Sequence, residues 1–79
     1  MSSKRMCYYA NESFYDSTRG YVVAVVNEGE PGYRTLAGGY LFADEAKEEA
    51  DRLNEKAGLS RDDVLDIVAS SMRAGKVQR

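Results

Sequence analysis

The chain is expected to fold as an α+β domain: a three-stranded antiparallel sheet, a β-meander, followed by two helices packed on one sheet face. Three observations carry this expectation. Tyrosine, valine and glycine dominate up to residue 42, whereas alanine, leucine and paired charges dominate from residue 44. The apolar pattern changes with the composition, from short runs bounded by turn formers to a stripe at helical period. A chain of 79 residues with no internal repeat has room for one domain.

The first strand is expected over Arg5–Ala10, where RMCYYA is rich in β-favouring aromatics. Residues 11–20, NESFYDSTRG, are turn formers and read as a long hairpin connection, in which Phe14 and Tyr15 could still pair. Tyr21–Val26, YVVAVV, is apolar on both faces and should be the central strand. NEGEPG at 27–32 is turn chemistry throughout. Tyr33–Leu36 forms the third strand, Gly38-Gly39 breaks or bulges it, and Tyr40–Phe42 leads on to the helices.

The first helix is expected over Asp44–Ala57, with Asp44 as N-cap and Glu45 favourably placed in the helix dipole. Ala46, Ala50, Leu53 and Ala57 form one narrow stripe. Gly58 stands where a left-handed stop is wanted, and Leu59 where a Schellman ending folds an apolar residue back, here onto Leu53. Ser60 and Asp63 then form a capping box, with Leu59 and Val64 as its staple. Val64, Ile67, Val68, Ser71 and Met72 share one face of the second helix, packing on the sheet with Leu53. Gly75 is expected to end it. The single domain over 1–79 thus divides into a strand-rich part (5–42), a helical part (44–74) and a frayed basic tail (75–79).

The counts exclude several chemistries. There is no histidine, so histidine-based nucleophile pairs cannot form within one chain. Cys7 is the only cysteine, which rules out an internal disulfide and a thiolate cluster; it reads as a small buried hydrophobe. This fits a reducing cytoplasm. The start shows a short basic head and no apolar run of signal-peptide length, and no stretch approaches the ~20 apolar residues of a membrane span. Eleven basic against 13 acidic residues give a net charge of −2, unlike a strongly basic nucleic-acid binder.

GYVVAVVNEGEPGY at 20–33, FADEAKEEADRLNEKAGLS at 42–60 and DDVLDIVASSMRAG at 62–75 together resemble a group of small uncharacterised proteins of actinobacteria, their phages and mobile elements. Those proteins carry an E-x-E-P-G turn, an A-x-x-x-A-x-x-L-N helix and a GLS/T-x-x-D-x-x-x-I-V-x-S-S-M ending. The resemblance covers about two-thirds of the chain and implies a bacterial or phage cytoplasm. It implies no activity, cofactor or binding residue.

The remaining constellations read as structure. The glycines of GEPG and LAGGY lack the Gly-Lys-Ser/Thr ending of a phosphate loop and read as turn and bulge residues. Glu28 and Glu30 flank a turn, and Asp62, Asp63 and Asp66 crowd a helix start without calcium-loop spacing. Ser71 lies in the apolar stripe, where its hydroxyl should bond a carbonyl one turn back. No catalytic residue, metal ligand or cofactor site is expected.

Two features point to binding. Six tyrosines are many for 79 residues, and Tyr8, Tyr21 and Tyr33 could present an interaction face on a sheet with one open side. Asp44, Glu48, Asp51 and Glu55 form an outward ridge opposite the alanine stripe, eased at Glu48 by Arg52 four residues on. The expected function is a small non-catalytic module that binds another protein, or itself through the open sheet face. In the setting the resemblance implies, it would be a phage or mobile-element accessory that inhibits or redirects a host complex, for example a defence nuclease complex. The alternative is a nucleic-acid-binding accessory that uses the strand tyrosines and the basic ends, Lys4, Arg5, Arg73, Lys76 and Arg79. No membrane association is expected.

Overall fold

The computed structural model describes residues 4–77; Arg79, counted above among the basic ends, lies outside the described residues. Strand β1 (Met6–Tyr9) pairs antiparallel with β4 (Ala24–Asn27), which pairs antiparallel with β5 (Arg34–Thr35). The order β1-β4-β5 keeps the expected apolar strand in the centre. A second small sheet joins β2 (Tyr15–Asp16) to β3 (Gly20–Tyr21). Helices α1 (Ala43–Lys56) and α2 (Arg61–Val77) follow. The α+β class and the three-stranded antiparallel sheet are as the sequence indicates.

The run 21–26 is not one strand, because it changes partner midway. The Val22 N–H donates to the Phe14 carbonyl at 3.0 Å, extending the small hairpin, and from Ala24 the chain pairs with Tyr9 instead. Tyr21 also exchanges two backbone hydrogen bonds with Tyr40, each 2.8 Å. This close approach depends on glycine. A Cβ on Gly20 would collide with the Tyr40 carbonyl, and one on Gly39 with the Arg19 carbonyl.

Side chains alternate across a strand, so neighbours Cys7 and Tyr8 face opposite ways. On the Cys7 side lie Val26 and Ile67, with Leu59, Val64 and Val68 packed around them. On the Tyr8 side lie Ala10, Val23, Ala46 and Ala50. The expected helix-covered face is thereby refined: α1 packs by β1 on one side and α2 crosses β1 and β4 on the other. Residues Val22 to Val26 are all buried, so the central strand has no bare face of the kind expected for self-association. Leu53 is half-buried and joins neither cluster, and Leu59 packs towards Ile67.

The helix boundaries follow local chemistry. Phe42, not Asp44, is the N-cap of α1, and its N–H donates to the Glu45 carboxylate at 3.3 Å. The other end is a full Schellman motif. Gly58 has φ 80°, its N–H donates to the Glu55 carbonyl at 3.0 Å, and the Leu59 N–H donates to the Asn54 carbonyl at 2.9 Å. The capping box of α2 is reciprocal: the Asp63 N–H donates to Ser60 Oγ at 3.1 Å, and the Ser60 N–H to Asp63 Oδ2 at 2.9 Å. Helix α2 runs through Gly75 to Val77, where the sequence suggested a stop and a frayed tail. A mid-helix glycine costs only about 1 kcal/mol, and Gly75 lies 3.7 Å, measured from where its Cβ would sit, from Pro31.

The serine pair pins the 27–32 turn onto α2. Ser70 Oγ accepts from the Gly29 N–H and donates to the Ile67 carbonyl, both at 2.9 Å. Ser71 donates to the Glu30 carbonyl at 2.5 Å, so the bond to the previous turn belongs to Ser70 and not to Ser71. Met72, placed on the apolar face by the sequence, is exposed.

Candidate functional site

The outer edge of β1 is the floor of a groove of about 560 Å³, with α1 on one wall and the start of α2 on the other. Helical spacing builds the first wall. Lys47, Ala50, Asp51, Asn54 and Glu55 recur at i, i+3, i+4, i+7 and i+8, a single helix face. Ser60, Arg61, Val64 and Leu65 supply the second wall, and Tyr8, Tyr9 and Ala10 the floor. The Schellman turn and the capping box lie in the connection that joins the two walls.

Asn54 is the residue that sequence reasoning missed. It is 5% exposed and continues Ala46 and Ala50 at i+8, in place of the expected Leu53 and Ala57; Ala57 is exposed. Its Nδ2 donates to the Tyr8 carbonyl and its Oδ1 accepts from the Tyr8 N–H, both at 2.8 Å. Cys7 and Tyr9 stand opposite Val26 and Ala24, so the Tyr8 groups point away from the sheet. Asn54 therefore closes the centre of an otherwise unpaired strand edge. The strict four-residue spacing from Ala46 was the available signal; its polarity argued against reading it as core.

The acidic ridge is exposed along its whole length: Asp44, Glu48, Asp51 and Glu55 all face solvent. Among the described residues none of the four joins an ion pair. Arg52, expected to ease Glu48, instead pairs with Glu49, and Lys47 reaches across to Glu12 at 3.2 Å. The last two ridge carboxylates stand on the α1 wall of the groove, and Arg61 and Leu65, which is 56% exposed, stand on the α2 wall.

The tyrosines do not form one face. Tyr8 and Tyr21 are half-buried against the α1 cluster. Tyr33 is 58% exposed on the other side, where its ring meets Phe14 edge-on at 4.8 Å. It lines a second cavity of about 450 Å³ together with Tyr9, Phe14, Val68 and Met72. Of the seven candidate residues, the structure brings together Tyr8, Asp51 and Glu55; Asp44 and Glu48 extend the ridge beyond the groove.

The basic N-terminal end is engaged within the fold. Arg5 donates to both Glu28 oxygens, at 3.1 and 2.9 Å, and to Asp63 at 3.2 Å, with Asp66 at 3.7 Å. It thereby ties β1, the turn after β4 and the cap of α2. These hydrogen bonds hold the Glu28 carboxyl down at about 2 and raise Arg5 above its ordinary value. Ser60 and Arg5 together lower Asp63. Lys4 lies 3.8 Å from Glu30. Cys7 is fully buried, and desolvation pushes its thiol up to about 11, away from the reactive thiolate.

Among the described residues no set of cysteine or acidic side chains converges as a metal site, and no helix is long and apolar enough to cross a membrane. No protein-family model, curated protein or solved structure matches this chain.

Proposed function

We propose that this chain is a small non-catalytic protein-binding module that acts through the groove on the outer edge of β1. The observation that carries the reading is the exposed carboxylate line of α1, without an ion-pair partner among the described residues, which runs onto the rim of a groove floored by Tyr8, Tyr9 and Ala10. Like charges at i, i+4 cost a helix a few tenths of a kcal/mol. Asp44 is offset by its place in the first turn of α1, but Glu48, Asp51 and Glu55 have no such offset among the described residues. A partner with a basic surface would gain in association rate and register.

The nucleic-acid alternative draws less support. Arg5 is committed to three carboxylates, and the ridge would repel phosphate. The resemblance to small actinobacterial and phage proteins implies a bacterial or phage cytoplasm; a host complex as the partner is our inference from that setting, and that part of the reading rests on the resemblance alone.

The test uses three tagged baits in a bacterial lysate: wild type, Asp51→Lys/Glu55→Lys and Tyr33→Ala. A protein held by wild type and by Tyr33→Ala, lost from the charge-reversed bait and weakened by salt, supports the groove. Retention by the charge-reversed bait with loss from Tyr33→Ala moves the site to the aromatic cavity.

A further inference from the structure

We infer that the groove takes an amphipathic helix with a basic flank, and not an added strand; this rests on the groove being the protein-binding site. A strand edge ordinarily recruits an extended segment through its free N–H and C=O groups. At β1 the central outward pair belongs to Tyr8, and Asn54 holds both groups at 2.8 Å. An added strand would have to displace a buried carboxamide that already satisfies them. Side-chain docking requires no such exchange.

The dimensions agree. The α1 wall extends from Lys47 to Glu55, eight residue steps or about 12 Å at the helical rise, a little over two helical turns. The groove volume of about 560 Å³ suits a few apolar side chains and not a whole helix body. An occupant would therefore lie along the groove and insert a stripe at i, i+3, i+4 and i+7 towards Ala50, Val64 and Leu65. Charge sets its sides: the flank along α1 meets Asp51 and Glu55 and must be basic, whereas the flank along α2 meets Arg61 and must be neutral or acidic.

The probes are two synthetic 18-residue peptides of identical leucine, lysine and alanine composition. One has leucine at helical spacing with lysines along one flank of the stripe and alanines along the other; in the other leucine and lysine alternate as in a strand. Binding is followed by amide chemical shifts of the whole protein and by anisotropy of a labelled peptide. The helix-patterned peptide should bind at least tenfold more tightly and shift Ala50, Asn54 and Leu65. Asp51→Lys/Glu55→Lys should weaken it at least tenfold, Leu65→Asp should weaken it with the fold retained, and Arg61→Glu should tighten it. Equal binding of both peptides, or tighter binding of the alternating one at the same amides, overturns the helical partner and leaves the groove reading standing. Shifts confined to Phe14, Tyr33 and Met72 overturn both.

Discussion

Asn54 and Tyr8 lie 46 residues apart, yet the side chain of one satisfies both main-chain groups of the other. That pair docks α1 on the edge of β1 and sets the floor of the groove. Replacing Asn54 by leucine strands a part-buried N–H and C=O together. The expected cost is about 1–3 kcal/mol, read as a lower urea midpoint at unchanged m-value. The same variant frees the β1 edge, so concentration-dependent association should appear in analytical ultracentrifugation. An unchanged midpoint would mean that water replaces the carboxamide without loss.

Gly58→Ala should destabilise the fold by about 1 kcal/mol. The residue sits at φ 80°, and nothing lies within 4 Å of the added methyl, so the penalty is backbone strain and not a clash. Gly58→Asn should recover part of the loss, because asparagine tolerates the left-handed region. Equal midpoints for the alanine and asparagine variants would show that conformation is not the cause.

Ile67 is fully buried against Cys7 and Val26 and is the largest side chain with no exposure among the described residues. Ile67→Ala should cost about 2–5 kcal/mol, a large share of what a domain of this size possesses. Ile67→Val should cost about 0.5–1.5 kcal/mol. Thermal unfolding of both variants checks the ratio.

Acid should unfold the protein in part through Glu28. Its carboxyl sits at about 2 in the fold because Arg5 hydrogen-bonds the charged form. A depressed folded value means the unfolded chain takes up the proton first. The contribution is present above the ordinary carboxylate value of about 4.3 and drains away as pH falls towards 2. Asp16, held down at about 2 by Thr18, and Asp63 act in the same direction. Glu28→Gln should therefore be less stable than wild type at pH 7, and its stability should fall less steeply below pH ~4.5. A wild-type slope in urea titrations between pH 5 and 2.5 would refute the assignment.

Local signals in the sequence were legible wherever the physics is local. The Gly58 stop, the Ser60–Asp63 box, the central apolar strand and the order of strands before helices all follow from turn chemistry and periodicity over a few residues. The ridge was equally readable, since helical spacing alone puts Asp44, Glu48, Asp51 and Glu55 on one line. Less legible were contacts that one side chain makes across the fold. Ser71 reaches Glu30 where its own previous turn seemed the nearer acceptor, and Arg52 chooses Glu49 over Glu48.

The sequence by itself determined the order of strands and helices, the Gly58 stop and the Ser60–Asp63 box, because those depend on backbone conformation and on neighbours within about one turn. The N-cap of α1 at Phe42 and the change of partner within 21–26 were decided by the fold. Only the tertiary structure decided that α1 and α2 stand on opposite sides of β1, that Asn54 closes the strand edge between them, and that Asp51 and Glu55 overlook the resulting groove. Each of these depends on where a side chain lands across some 20 to 60 residues of chain. Alternation along β1 fixes two opposite faces, but which helix takes which is settled by packing. Alanines at 46 and 50 fit closely beside Tyr8 and Ala10, while the bulkier Ile67 fills the space beside Cys7 and Val26.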